Sequence, residues 1–334
     1  MDFTLDKAEQ TALSIKGGNV TKTYCDAPFK LKTEGGLGTG SVTYEVSDPS
    51  VASVDIRGNV TILGAGTAQI TAHKAEDSDY AAAKSEPITL TVQSAKLKNA
   101  TVKVASDNVY SGSAVIPNIE VNLKDTTLVE GKDYTVSYKN NTNVGTATAI
   151  ITGIGSCTGE RTAEFSISPL TPKLVVVSKI GTKTYTGKDL APDVAVSADG
   201  RILSRNTDYT VSYQNSKNPG SASVIITGIG NYRFSTSTQF DIAPKAIKNL
   251  KLKRKKKAIS VKFKKSFGAS GYKIEYAQNR TFKNAKSKNI KKTSCTVKAK
   301  SQKTVYVRVT PYVISNGKKI LGKPCKAKSI KIKR

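Results

Sequence analysis

The sequence has no tryptophan, one histidine and one methionine. Without tryptophan the flat indole platform of many sugar-binding modules is missing. The lone histidine, His73, stands in Ala72-His-Lys74 with no second histidine to share a metal or a catalytic relay, and reads as a solvated strand-end residue. No run reaches the roughly 20 apolar residues needed to span a bilayer. The motifs G-x-S-x-G, H-E-x-x-H and the phosphate-cradling Walker loop do not occur. Four cysteines, Cys25, Cys157, Cys295 and Cys325, form no C-x-x-C pair, so no metal site is expected. Cys295 and Cys325 share the last segment, where a bridge and separate thiols both stay open. These absences predict a protein with no catalytic residues, no cofactor and no metal.

Acid is scarce in one place. Residues 245 to 334 hold 30 Lys and Arg against a single acid, Glu275. Of the 53 bases and 25 acids in the chain, that leaves 23 and 24 for residues 1 to 244, which are nearly neutral. The net charge of +28 is therefore the property of the final quarter.

What is plentiful is Thr, Ser, Val and Gly, the composition of short strands joined by polar turns. The length of 334 residues suits several small cores. A self-comparison at an offset of 75 finds a repeat without gaps. Tyr110-Ser-Gly112 returns as Tyr185-Thr-Gly187, Pro117 as Pro192 and Leu128 as Leu203. Asp133-Tyr-Thr-Val-Ser-Tyr138 returns unchanged as Asp208-Tyr-Thr-Val-Ser-Tyr213, and Ile151-Thr-Gly-Ile-Gly155 as Ile226-Thr-Gly-Ile-Gly230. Tyr134, Val136 and Tyr138 alternate with polar residues, which predicts a strand with one buried face. The turn residues at 140 to 145 predict a hairpin onto 146 to 152, and Phe165 and Ile167 a last strand.

This order, Y-x-G, P, D-Y-T-V-x-Y, N-x-G-x-A, I-T-G-x-G, F-x-I, resembles the tandem immunoglobulin-like repeats of secreted and surface proteins of Gram-positive bacteria. Earlier in the chain, Pro49-Ser-Val-Ala-Ser-Val-Asp55 precedes Gly64-Ala-Gly-Thr-Ala-Gln-Ile-Thr-Ala72. That pair is similar to the bacterial immunoglobulin-like group 2 domain, with Ala68, Ile70 and Ala72 expected in one core and Gly64 and Gly66 at positive φ. Ile259, Val261 and Phe263, then Tyr272, Ile274 and Tyr276, then Val305, Val307 and Val309 resemble a fibronectin type III module, with Phe263 where that family keeps tryptophan. Pro311 predicts that the last of these strands ends or bulges there.

The expected fold is all-β: four immunoglobulin-like or fibronectin III-like sandwiches in an elongated array, spanning residues 1–94, 95–168, 169–244 and 245–334. Most tyrosines fall at inward positions, while Tyr80, Tyr306 and Tyr312 are placed for exposure. The acidic cluster Glu76, Asp77 and Asp79 lacks the spacing of a calcium loop. The basic module supplies the candidate binding residues: Lys253, Arg254, Lys255, Lys256 and Lys257, then Lys262, Lys264 and Lys265, then Lys291 and Lys292, and last Lys331 and Lys333. Lysines alternating with core residues share an outer face, and an anionic partner would relieve their repulsion.

The resemblance implies an extracellular bacterial surface or cell-wall protein, with export and anchoring segments outside this chain. The expected function is a monomeric, rod-like stalk whose basic module lies on an anionic cell-wall polymer. Two rivals are an adhesin gripping a host glycan or protein through its loops, and an accessory region of a larger secreted enzyme. Nucleic acid is the weaker match for the basic module, since Lys greatly outnumbers Arg and no stacking platform is evident in the sequence.

Overall fold

A computed structural model of the chain describes residues 6–299 and 303–332. Strands dominate it, and the one helical segment among the described residues is the single 3-10 turn Leu97–Asn99. Among the described residues no helix is long and apolar enough to cross a membrane. The chain divides into two compact units, Met1–Ser168 and Pro169–Arg334.

In the first unit, alternation drives the pairing. Strand Gly66–Lys74 buries Ala68, Ile70 and Ala72 and lies between Ile88–Gln93 and Val42–Val46. Val20–Thr23 closes that sheet by pairing parallel to Ile88–Gln93. A second sheet, Phe29–Lys30, Asn59–Ile62 and Ala52–Val54, completes the sandwich. Gly64 has a different use from the one expected, because it is close approach that excludes a side chain: a Cβ there would sit 2.7 Å from the Ser50 carbonyl oxygen. Gly66 does take the positive φ, at +153°.

The 75-residue repeat is exact in register. Tyr134 pairs with Gly153 and Gly145 with Ile167; Tyr209 pairs with Gly228 and Gly220 with Ile242. The repeated aspartate shows why the motif recurs. Asp133 Oδ2 accepts the Val129 N–H at 2.8 Å, and Asp208 Oδ2 accepts the Ser204 N–H at the same distance, closing the same turn before the same strand. Tyr134 and Tyr209 are buried core residues, as the alternation requires.

The first copy carries a further bond. Tyr24, at the end of strand Val20–Thr23, donates its hydroxyl to Asp133 Oδ1 at 2.9 Å in a buried setting. Nearby, the Ala65 N–H donates to Ser156 Oγ at 2.8 Å, and Lys124 pairs with Asp26. One continuous apolar cluster consequently runs from Leu13 to Ile167.

In the second unit, Lys183–Thr184, Ser235–Ala243, Gly220–Gly228 and Tyr209–Gln214 form one sheet, faced by Val175–Val177, Val196–Ala198 and Arg201–Ile202. The basic segment contributes the sheet Lys251–Lys255, Ala258–Lys262, Ser294–Lys298 and a larger one built around Gly271–Ala277 and Thr304–Ser315. Phe263 fills its core position edge-on to Tyr272, with ring centroids 4.7 Å apart.

Pro311 neither ends nor bulges its strand, contrary to expectation. It pairs in regular register with Tyr272, and its carbonyl accepts the Gly322 N–H at 2.8 Å. Its polar edge thus faces the gap between Lys328–Lys331, paired with the strand before it, and Lys318–Leu321, paired after it. The missing N–H falls where no ladder bond is due. Tyr312 is also corrected: it is buried, with Lys319 Nζ 3.9 Å from its ring centroid.

Burial and then the bond to Asp133 push the Tyr24 hydroxyl pKa well above its ordinary 10.0. A value raised in the folded state means this contribution is complete below pH 10 and is lost as pH climbs further. Tyr24→Phe is expected to destabilise unit Met1–Ser168 by about 1–3 kcal/mol, the effect of stranding a buried acceptor. Urea unfolding at neutral pH checks this, and the variant is expected to lose less stability than wild type above pH 10.

Candidate functional site

Strand geometry sorts the lysines. Lys251, Lys253 and Lys255 alternate with Leu252 and Arg254 along Lys251–Lys255. Across the sheet, Lys251 stands opposite Lys262 and Lys262 opposite Ser294; Lys253 opposite Ser260 and Ser260 opposite Thr296; Lys255 opposite Ala258 and Ala258 opposite Lys298. These nine positions form one outer face with five lysines and no acid. Its reverse side carries Leu252, Val261 and Cys295, then Arg254, Ile259 and Val297, and Ile259, Val261 and Val297 are buried.

The sequence-based candidates therefore separate. Lys253, Lys255 and Lys262 share the face, joined by Lys251 and Lys298, which were missed although the parity of Leu252 and Val297 marks both. Arg254 has the opposite parity and is exposed at the sheet end. Lys256 and Lys257 form the hairpin turn, Lys257 at φ +48°. Lys291 and Lys292 lie in the turn before Ser294–Lys298, and Lys331 belongs to the other sheet, opposite Thr304. Lys264 and Lys265 follow the end of Ala258–Lys262 in a loop. Lys333 lies outside the described residues.

Glu275, the single acid of this segment, is spent internally. Arg308 donates to it from Nε at 3.0 Å and from Nη2 at 3.3 Å, and Lys273 Nζ at 3.1 Å. The Arg308 guanidinium also lies 4.3 Å from the Phe282 ring centroid. Burial pushes the Glu275 carboxyl upward, but the bonds from Arg308 and Lys273 outweigh it and hold the pKa below its ordinary 4.5. Among the described residues, Lys318 is the one other cation here paired with a carboxylate, Asp241 at 2.7 Å. The face keeps its charge uncompensated.

Elsewhere, acidic groups serve the fold. Asp77 accepts the backbone N–H groups of Thr39 at 2.5 Å and of Asp79 and Tyr80 at 3.0 Å. Those bonds hold its pKa down at about 2. His73 Nε2 lies 3.1 Å from Glu45 Oε2 at an exposed strand end. The four cysteines are free thiols; the Val309 N–H reaches Cys325 Sγ at 3.3 Å, and burial pushes the Cys295 and Cys325 thiols upward.

Two outcomes follow from this charge arrangement. Opposed lysines at about 6 Å repel by roughly 0.7 kcal/mol in water, less with salt. Thermal unfolding is therefore expected to rise with added salt in wild type and to rise less after Lys251→Gln plus Lys262→Gln. Glu275→Gln leaves Arg308 and Lys273 without their counter-ion and is expected to destabilise by about 1–3 kcal/mol. Since the Glu275 pKa is depressed, wild type holds this stability above pH 4.5 and loses it as pH falls further. Chemical denaturation at pH 7 and pH 3 is expected to show the variant's deficit shrinking in acid.

Comparison with known proteins adds a family likeness for part of the chain. Residues 22–76 match the intimin immunoglobulin-like domain, and this stretch contains the strands from Phe29–Lys30 through Gly66–Lys74. No curated protein matches the chain. Two solved structures align along nearly its whole length. The FN1-FN3 domains of chicken CNTN1 are 11% identical, covering 98% of this chain and 99% of that one, with a TM-score of 0.26. A tetra-tandem repeat in the extending region of a large adhesion protein is 12% identical, covering 97% and 99%, with a TM-score of 0.28. The sheet pairings describe an all-β chain of successive β-sandwiches, and the match to residues 22–76 makes the first of them immunoglobulin-like.

Proposed function

We propose that this chain is a non-catalytic part of a bacterial surface protein, in which immunoglobulin-like modules act as a spacer and the last module docks on an anionic cell-wall polymer. The modules are divided near 94/95, 168/169 and 244/245. The surface location rests on the resemblance of the repeats and on the match of residues 22–76 to the intimin immunoglobulin-like domain.

One observation carries the binding reading: Lys251, Lys253, Lys255, Lys262 and Lys298 share a sheet face that holds no acid. A phosphate polymer such as teichoic acid would lay repeated charges along it. Ammonium groups act as point charges, so the contact is multivalent, tolerant of sequence in the polymer and sensitive to salt.

The full chain is expected to sediment with purified Gram-positive walls at low salt and to be released as salt rises. Replacing the five lysines of the face by Gln is expected to abolish sedimentation without unfolding the protein. Wall binding by that variant equal to wild type, or equal binding to walls stripped of teichoic acid, would refute the polymer reading.

A further inference from the structure

A second feature of the basic segment is built differently from the lysine face. Tyr185 and Phe267, far apart in sequence, stack with ring centroids 4.9 Å apart and planes 14° from parallel. Phe267 is nevertheless 60% exposed, so the face turned away from Tyr185 is open to water. A recess of about 200 Å³ adjoins the pair, lined by Lys245, Lys248, Lys264 and Lys265 with Ile247 and Ser266, and by no carboxylate.

An exposed phenylalanine on a loose loop would mean little. This loop is pinned. Ser266 Oγ donates to the Lys245 carbonyl at 2.7 Å, the Ser266 N–H donates to the buried Tyr272 hydroxyl at 3.1 Å, and the Lys264 N–H donates to the Lys248 carbonyl at 3.1 Å. On the far side Gly268, at φ +67°, packs so closely that a Cβ would lie 2.6 Å from Pro219 Cγ. Tyr185 is held in turn, since its N–H donates to the Ala243 carbonyl at 2.9 Å and Lys245 Nζ lies 5.9 Å from its ring centroid. The apolar plate is thus fixed before any ligand arrives, which lowers the ordering cost of binding.

The geometry points to a site for an acidic sugar: a pyranose ring laid on the open face of Phe267, its carboxylate or phosphate group held among Lys245, Lys248, Lys264 and Lys265. The electron-rich face of an aromatic ring attracts the polarised C–H groups of a sugar, and the lysines select an anionic one. A nucleobase stacks on aromatic rings too, but single strands bind through successive platforms. Here the second ring is already used by the first, and one open plate remains. Stacking is not screened by salt, so this site stands apart from the lysine face and does not depend on the polymer reading.

The chain has no tryptophan, so Phe267→Trp keeps the plate and installs a single fluorescent reporter in it. Titration of the full chain with a tetragalacturonate at about 0.5 M salt, beyond physiological screening, is expected to shift the Trp emission. Calorimetry under the same conditions is expected to show affinity falling at least about tenfold in Phe267→Ala and in Lys264→Ala plus Lys265→Ala, and unchanged when the five lysines of the face are Gln. Phe267 is exposed, and unchanged thermal unfolding of the Ala variant confirms that its fold is kept. Equal affinity for the fully methyl-esterified tetrasaccharide, equal affinity in Phe267→Ala, or stronger binding and a larger emission shift with an eight-residue oligothymidylate would each overturn the proposal. Failure of the wild-type chain to sediment with walls at low salt, with this titration intact, would remove only the polymer reading.

Discussion

Successive side chains of a strand point to opposite faces, so a strand that packs Leu252 against the core has no freedom in where Lys251 and Lys253 go. This constraint organises the basic segment. Ile259, Val261 and Val297 are required inside a small sandwich, and each forces its neighbours outward. Where those neighbours are lysines on three adjacent strands, the result is a charged plane. Its density is set by strand spacing, not by the flexibility of the side chains. The fold accepts the repulsion because the buried side of the same strands supplies far more free energy than exposed charges remove.

The same economy governs the acids. Glu275, alone in its segment, is bracketed by Arg308 and Lys273 on the outer side of the larger sheet and has nothing left for the lysines of the other. Asp133 and Asp208 each close a turn, and Asp133 uses its second oxygen to receive Tyr24. A repeated residue thus does a repeated job, and one copy does a second. Between repeat and basic segment in the second unit, the hairpin tip plays the comparable part: Ser315 Oγ accepts the Ser221 N–H at 3.0 Å and Lys318 reaches Asp241. Ala243, Val313 and Ile320 form a small apolar cluster there.

That second junction also explains the aromatic plate. Gly268 and Pro219 fix one side of its loop while Ser266 and Lys245 fix the other, so Phe267 is held in an exposed position. Large apolar side chains on a surface are ordinary when scattered. This one is backed by a second ring and ringed by lysines without partners among the described carboxylates, which is the combination a ligand would use.

The sequence by itself determined the all-β class, the repeat and its register, the buried tyrosines Tyr134 and Tyr209, and the alternation that turns Lys262 outward from Ile259, Val261 and Phe263. All of these follow from local alternation and turn chemistry, which a strand carries in its own residues. That Lys253 and Lys255 lie on a strand and not between two strands was left to the structure. Only the tertiary structure decided what lies across a sheet or a junction: that Lys298 joins the face, that Arg254 does not, that Tyr312 is covered, and that Pro311 sits opposite a gap. It also decided that Tyr24 meets Asp133 and that Tyr185 stacks on Phe267. Those contacts depend on which strands become neighbours, and two-residue periodicity says which way a side chain points without saying what it will meet.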